Sequence, residues 1–225
     1  LVIMGNHFNY QDRLLYGEGL RYKYYQEANE LATLCQNFAL IGTKEQKEIW
    51  EKVQIGENVH LEFKETLSMD ANKYREEDFD TVRNREQRKI IESNTYKAIC
   101  ALLNTKGGGE IYLGVRDKGV ADKPEIVGIK KEVDFLFYKS NDNYLLYLKE
   151  FIKNNFSDQI KLISIRLFEV FKKEIIIIKV EKSIKPVFFI KKVDGKKEKI
   201  FYIRNGPSSD PLDIEAFYYY QFQQN

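Results

Sequence analysis

Polar and apolar positions alternate most sharply over Glu57 to Leu67, ENVHLEFKETL. Read as a strand, the period of two puts Val59, Leu61 and Phe63 on one apolar face. Asn58, His60, Glu62 and Lys64 share the other. Many half-buried strands alternate in this way. Here the polar face lines up an imidazole, a carboxylate and an ammonium, with Glu57 just ahead. Upstream, Tyr24, Ala28, Leu31, Leu34, Cys35 and Phe38 recur at spacings of three and four, one face of a helix. TKEQ from Thr43 reads as a capped start to a second helix carrying Ile49, Trp50 and Val53. Downstream, residues 68–86 are charged, a surface loop or a charged helical insertion. Ile90, Ile91, Ile99, Leu102 and Leu103 predict a buried helix that ends at Asn104 and Gly107-Gly108-Gly109.

The remaining pattern predicts a strand in EIYLGVRD, a turn at Lys118-Gly119 and a helix from Asn143 to Phe156. Further strands follow in IKLISIRLFEV, EIIIIKVE, PVFFIKK and KIFYIRNG. Asp194-Gly195 marks a hairpin turn between the last two. A closing helix carries Ile214, Phe217 and Tyr218, and the Tyr218-Tyr219-Tyr220 run reads as helix packing. The fold class expected is α+β: a mixed, mainly antiparallel sheet with packed helices, plus an N-terminal helical extension. The expected division is residues 1–54 for the extension and 55–225 for the main domain.

Composition narrows the function classes. Hydrophobic residues make up 43% of the 225, which excludes wholesale disorder. The net charge of +2 hides an asymmetry. Residues 129–204 carry 18 Lys and Arg against 10 Asp and Glu, while the rest carries 18 against 24. A basic second half suits a polyanion partner, and it equally suits a lysine-rich solvated surface. Cys35 and Cys100 lie among apolar residues, as buried thiols of a reducing compartment do. No Cys/His spacing suits zinc. No apolar run reaches membrane-spanning length, and cytoplasmic is the default location. The chain opens on Leu1 rather than Met, so the expectation is a fragment of a longer protein.

The glycine run lacks the Gly-Lys-Ser/Thr ending of a phosphate-binding loop and leads into a strand, so a tight helix-to-strand joint is expected there. His7 and His60 are the only histidines, and no Gly-x-Ser-x-Gly turn exists. The carboxylates offer more. Glu57 and Glu62 bracket one strand and Asp117 ends another. Clustered carboxylates repel unless a cation neutralises them, and hard oxygen donors suit Mg²⁺ or Mn²⁺. Lys64 on the same face could hold a phosphate. Each residue has a plainer alternative. Glu62 and Lys64 could simply pair with each other. Glu57 could be a loop carboxylate, and Asp117 could cap the turn before Gly119. Lys191, Lys192, Lys196, Lys197 and Lys199 form a basic hairpin, suited to a nucleic-acid backbone or to guarding a sheet edge. His60 stays outside the catalytic set.

ENVHLEFKETL, KAICALLNTKGGGEIYLGVRDKG, IVGI and FYIRNGPSSDPLDIEAF together resemble the Schlafen core, or AlbA-type, domain. Its pattern is a Glu-x4-Glu-Phe-Lys strand, an A-x-x-N-x-x-G-G helix exit, a G-V-x-D strand end and a late R-x-G before a closing helix. The match runs from about Glu57 to Tyr220. In eukaryotic Schlafen proteins this domain is associated with cleavage of transfer and ribosomal RNA at a metal-dependent site of two glutamates and one aspartate. Residue matching puts these on Glu57, Glu62 and Asp117. The resemblance thus implies a metal-dependent endoribonuclease acting on structured RNA with Mg²⁺ or Mn²⁺. Lys64, Lys191, Lys192, Lys196, Lys197 and Arg204 are the expected nucleic-acid contacts, although Arg204 could instead buttress the core. Eukaryotic members pair two lobes in one chain, so a homodimer would be needed for a comparable cleft. Prokaryotic members are often described only as DNA-binding or regulatory modules. A non-catalytic DNA- or RNA-binding module therefore stays open, as does an interaction module of a larger protein. The charged segment 68–86 departs from the family pattern.

Overall fold

The structure is a computed structural model that describes residues 43–118, 123–137, 139–193 and 196–223, with Tyr25, Ala28 and Asn29. At 192, 193, 196 and 221–223 it describes the backbone alone. The rest of the predicted helix at 24–38 and the hairpin tip Asp194-Gly195 lie outside these residues. Contacts divide the chain into compact units Leu1–Lys47 and Glu48–Asn225. The first described helix, α1 (Lys44–Ile55), begins with the expected reciprocal cap. The Thr43 hydroxyl accepts from Gln46 N–H at 3.1 Å, and the Gln46 side chain accepts from Thr43 N–H at 3.0 Å.

The second unit is α+β, as expected. Its main sheet has four strands in the order β1 (Leu61–Lys64), β2 (Gly109–Leu113), β6 (Lys173–Val180), β5 (Ile163–Val170). β1 runs parallel to β2, and the other pairs are antiparallel. Both faces are covered. Leu61, Phe63, Tyr112, Ile175 and Ile177 pack with Ile49 and Val53 of α1. Ile111, Leu113, Ile176 and Ile178 pack with helices α4 (Arg85–Asn104) and α6 (Asn141–Asn155). Burial on both faces explains the unbroken Ile175–Ile178 run, since neither parity meets water. The crossover from β1 to β2 passes through α2 (Ala71–Arg75), α3 (Phe79–Arg83) and α4. Segment 68–86 is therefore largely helical, with Asp70 and Asp78 capping its two short helices. A small pair β3 (Val115–Arg116) and β4 (Glu125–Ile126) follows β2, and α5 (Lys130–Leu136) precedes α6. A second antiparallel sheet holds β7 (Phe188–Val193), β8 (Lys196–Asn205) and β9 (Ser208–Leu212), and α7 (Ile214–Gln223) closes the described chain.

The sequence reading lacks α5 and β9. α5 hides because its most buried residue is the carboxylate Glu132, 1% exposed. β9 hides because its SSDPL reads as a turn, yet an edge strand accommodates Pro211. The tyrosine run also divides. Phe217 and Tyr220 pack on Phe201, whereas Tyr218 and Tyr219 are exposed.

Buried polar side chains tie loops to this frame. The Glu132 carboxylate accepts from the backbone N–H groups of Leu67, Ser68 and Met69 at 2.9, 2.7 and 3.0 Å, and from the Tyr144 hydroxyl at 2.8 Å. It thereby fixes the chain just beyond β1. Asn104 donates to the carbonyls of Val187 and Tyr202 and accepts from Val187 N–H, joining the end of α4 to the second sheet. Glu132→Ala strands three amide donors in the core, so it should lower the free energy of unfolding by about 3 kcal/mol or more. Tyr144→Phe, which removes one donor, should lower it by about 1 kcal/mol. Urea denaturation followed by fluorescence measures both.

Candidate active site at the open edge of strand β1

The regular strand is shorter than the alternation suggests. Pairing covers Leu61–Lys64 only. Ahead of it the chain turns back on itself: Asn58 and Leu61 exchange both backbone hydrogen bonds, and the Asn58 side chain accepts from His60 N–H at 2.9 Å. This turn brings the two glutamates together. Along one extended strand, Glu57 and Glu62 would lie roughly 16 Å apart on opposite faces. Instead Glu57 Oε1 accepts from Phe63 N–H at 2.6 Å, at the edge of β1 that faces away from β2.

Glu62 sits beside it and is nearly buried, 7% exposed. One of its oxygens accepts from Lys64 Nζ and the other from Arg204 Nη1. The Arg204 side chain is wholly buried. Besides Glu62 it reaches the Ser209 hydroxyl at 3.2 Å and the carbonyls of Asn58 at 2.9 Å and Leu61 at 3.3 Å. Arg204 was expected at a nucleic-acid phosphate. Its guanidinium is instead enclosed at the seam between the two sheets, so of the two roles foreseen for it the structure supports the buttress.

Asp117 follows β3 and is exposed. Among the described residues its carboxylate has no hydrogen-bond or ion-pair partner, and the turn at Gly119 that it could cap lies outside them. It is near enough to act on Glu57. Burial, then the charge of Glu62, and more weakly that of Asp117, push the Glu57 carboxyl up to about 7. The amide of Phe63 and the charge of Lys64 oppose the shift. The neighbouring arginine is held clear of the carboxylates, because Arg116 and Arg75 both pair with Glu65.

The family profile for Schlafen, AlbA_2 matches residues 57–213, well over half of the chain. The chain belongs to the Schlafen AlbA_2 family. That membership points to a nucleic-acid-related function. No curated protein matches the chain. Among solved structures, the DIP2311 protein of Corynebacterium diphtheriae is similar over 74% of this chain and 27% of its own, at 18% identity and a TM-score of 0.43. The chain thus spans about a quarter of that protein.

The Schlafen AlbA_2 resemblance implies a divalent ion, and the donor set fits one in chemistry: three hard oxygen donors whose repulsion is unrelieved at Glu57. They do not form a closed cage. Among the described residues no group of three or more His, Cys, Asp or Glu could hold a metal. Glu62 already serves two cations of the protein itself. The hairpin lysines lie apart from this cluster, on β7 and β8. Lys191, Lys197 and Lys199 are exposed. The register sets Lys192 directly opposite Lys197. No described helix is long and apolar enough to cross a membrane.

The raised Glu57 carboxyl gives a pH dependence whose sign is fixed. Its affinity for a proton is higher folded than unfolded, so its contribution to stability is complete below 4.5 and is lost as pH rises through about 7. Glu57→Gln should flatten the fall in stability between those values, measured by denaturant titration across pH. Asp117→Asn should lower the titration midpoint of Glu57 slightly, read by carboxyl-carbon NMR.

Proposed function

We propose that this domain is a divalent-cation-dependent endoribonuclease acting on structured RNA of the transfer- or ribosomal-RNA kind. Glu57, Glu62 and Asp117 gather around Mg²⁺ or Mn²⁺, and the Lys191–Lys199 hairpin holds the RNA backbone. The observation that carries this reading is the state of Glu57. A half-buried carboxyl driven up to about 7 by its own burial and two other carboxylates gains from an added cation. Asp117, exposed and unengaged among the described residues, offers a second open donor. Glu62 joins them once Lys64 turns from it toward the substrate phosphate. Arg204 keeps Glu62 in place throughout. When bound, the ion activates water and offsets charge on the phosphodiester. The preference for RNA over DNA, and a homodimer that sets two such lobes face to face, follow from the eukaryotic Schlafen comparison.

The purified protein should cut total RNA with Mn²⁺ or Mg²⁺ and not in EDTA. Asp117→Asn is the cleaner variant, because none of the described residues bonds to that side chain. It should slow cleavage by about 10²-fold with the melting temperature unchanged and RNA binding retained. Glu62→Gln should abolish cleavage, with melting followed as a control for the Arg204 pair. Cleavage that survives EDTA, or that is untouched in both variants, overturns the proposal.

One observation favours a second reading. Both Glu62 oxygens are already neutralised by Lys64 and Arg204. A domain that binds DNA or RNA without cutting it needs only that internal pairing and the lysine hairpin. Its signature is binding that weakens steeply with salt, no product, and Asp117→Asn indistinguishable from wild type.

A further inference from the structure

The turn ahead of β1 also borders a cleft of about 260 Å³ on the side of the sheet where α1 packs. Its walls include Lys52 of α1, His60, Gly107, Glu110 of β2, and Lys179 and Glu181 at the end of β6. We propose that this cleft is a phosphate-binding subsite, in which Lys179 and Lys52 receive a phosphate of the bound nucleic acid.

The charged lining sets two ammonium groups against two carboxylates, and the pairing among them leaves Lys179 open. His60 Nδ1 lies 2.7 Å from the Gly108 carbonyl, which can only accept, so that nitrogen carries the proton. Nε2 then accepts, so the ring shapes the wall of the cleft and leaves the anion to the lysines. A side chain at Gly107 would press on the ring, since its Cβ would come within 3.3 Å of His60 Cε1. Glycine there leaves the imidazole in place and the wall open. Glu110 stands directly across from Lys179 in the sheet register. Even so, Glu110 is taken by Lys52 at 2.7 Å and by the Tyr112 hydroxyl at 3.0 Å. Lys179 is thus an exposed ammonium with no partner among the described residues, beside a second ammonium that a phosphate can share. Glu181 opposes an anion on the same wall and serves as an internal control of sign.

The cleft also shares Asn58 and Leu61 with the edge that Arg204 holds. A strand engaged at the carboxylates therefore runs on into it. The proposal rests on the nucleic-acid reading above and does not depend on cleavage. The phosphate can come from the interior of a strand or from its 5′ end.

Binding of fluorescent RNA 12-mers with a 5′-phosphate or a 5′-hydroxyl, followed by anisotropy in EDTA at low salt, tests it. Lys179→Ala should weaken binding about 5- to 10-fold, Lys179→Arg should restore it, and Glu181→Gln should tighten it, all at unchanged melting temperature. An effect confined to the phosphorylated strand assigns the cleft to a 5′ end, and an equal effect on both assigns it to an internal phosphate. If Lys179→Ala and Glu181→Gln both bind as wild type while Lys197→Ala weakens binding, the cleft holds no phosphate and the wider reading stands. If the wild type binds neither strand, the nucleic-acid reading falls and the subsite with it.

Discussion

A single buried guanidinium holds the candidate site together. Arg204 comes from β8, in the second sheet, and its donors are spent on β1, in the first. One goes to Glu62, and two carbonyls, of Asn58 and Leu61, take others. β1 is an edge strand, and the turn ahead of it already pairs the Asn58 and Leu61 carbonyls with each other's N–H groups. Arg204 adds a second donor to each, using the lone pair that the backbone bond leaves open. Burying a charge is costly unless it is paired and hydrogen-bonded. Here the compensation is nearly complete, and Nε alone stays unpaired. Removing either partner would leave a naked charge at the junction of the sheets, so the position of Glu62 and the docking of the sheets are one constraint.

The same device recurs at two other joints. Glu132 gathers three consecutive amides beyond β1, and Asn104 clamps Val187 and Tyr202 to the end of α4. In each case a polar side chain on a regular element satisfies backbone groups that lie outside its own element. Buried backbone groups must find partners somewhere. Supplying them from rigid elements places loops as firmly as strands. The glycine turn complements this by steric means. A Cβ at Gly109 would lie 2.5 Å from the His60 carbonyl, so the chain can pass this close to β1 only without one.

Much of this frame was legible in the sequence because it follows period and punctuation. The helix ending at Asn104, the Thr43 cap, the strand containing Ile175–Ile178 and the helix near Asn143–Phe156 all appear close to where the spacing puts them. What was illegible depends on long-range polar contacts. Alternation extends ENVHLEFK into one strand, because Asn58 and Val59 fit the period of two. Only the exchange between Asn58 and Leu61 shows that the chain folds back there. Arg204 was noticed for its motif, but its burial follows from the docking of a second sheet that no local pattern encodes. Glu132 gave no signal at all, since a carboxylate in a charged helical stretch looks solvated until five donors are seen around it.

The charge balance at the β1 edge explains why a site can look occupied and unfinished together. Fully ionised, Glu57, Glu62 and Asp117 bring three negative charges against the two positive ones of Lys64 and Arg204. The excess of one is felt at Glu57, which retains its proton toward neutral pH. Protonation is the cheapest way for the isolated domain to remove that excess. On the proposed reading a divalent ion removes it differently. Two added charges turn the excess from one negative to one positive, and the edge that repelled a phosphodiester then attracts it. Lys64 would then be free to face a phosphate, since the ion would stand in for it at Glu62. The pairing of Glu62 with Lys64 in the ion-free site would then be the resting state of the same machinery, with each cation in turn holding the place of the next.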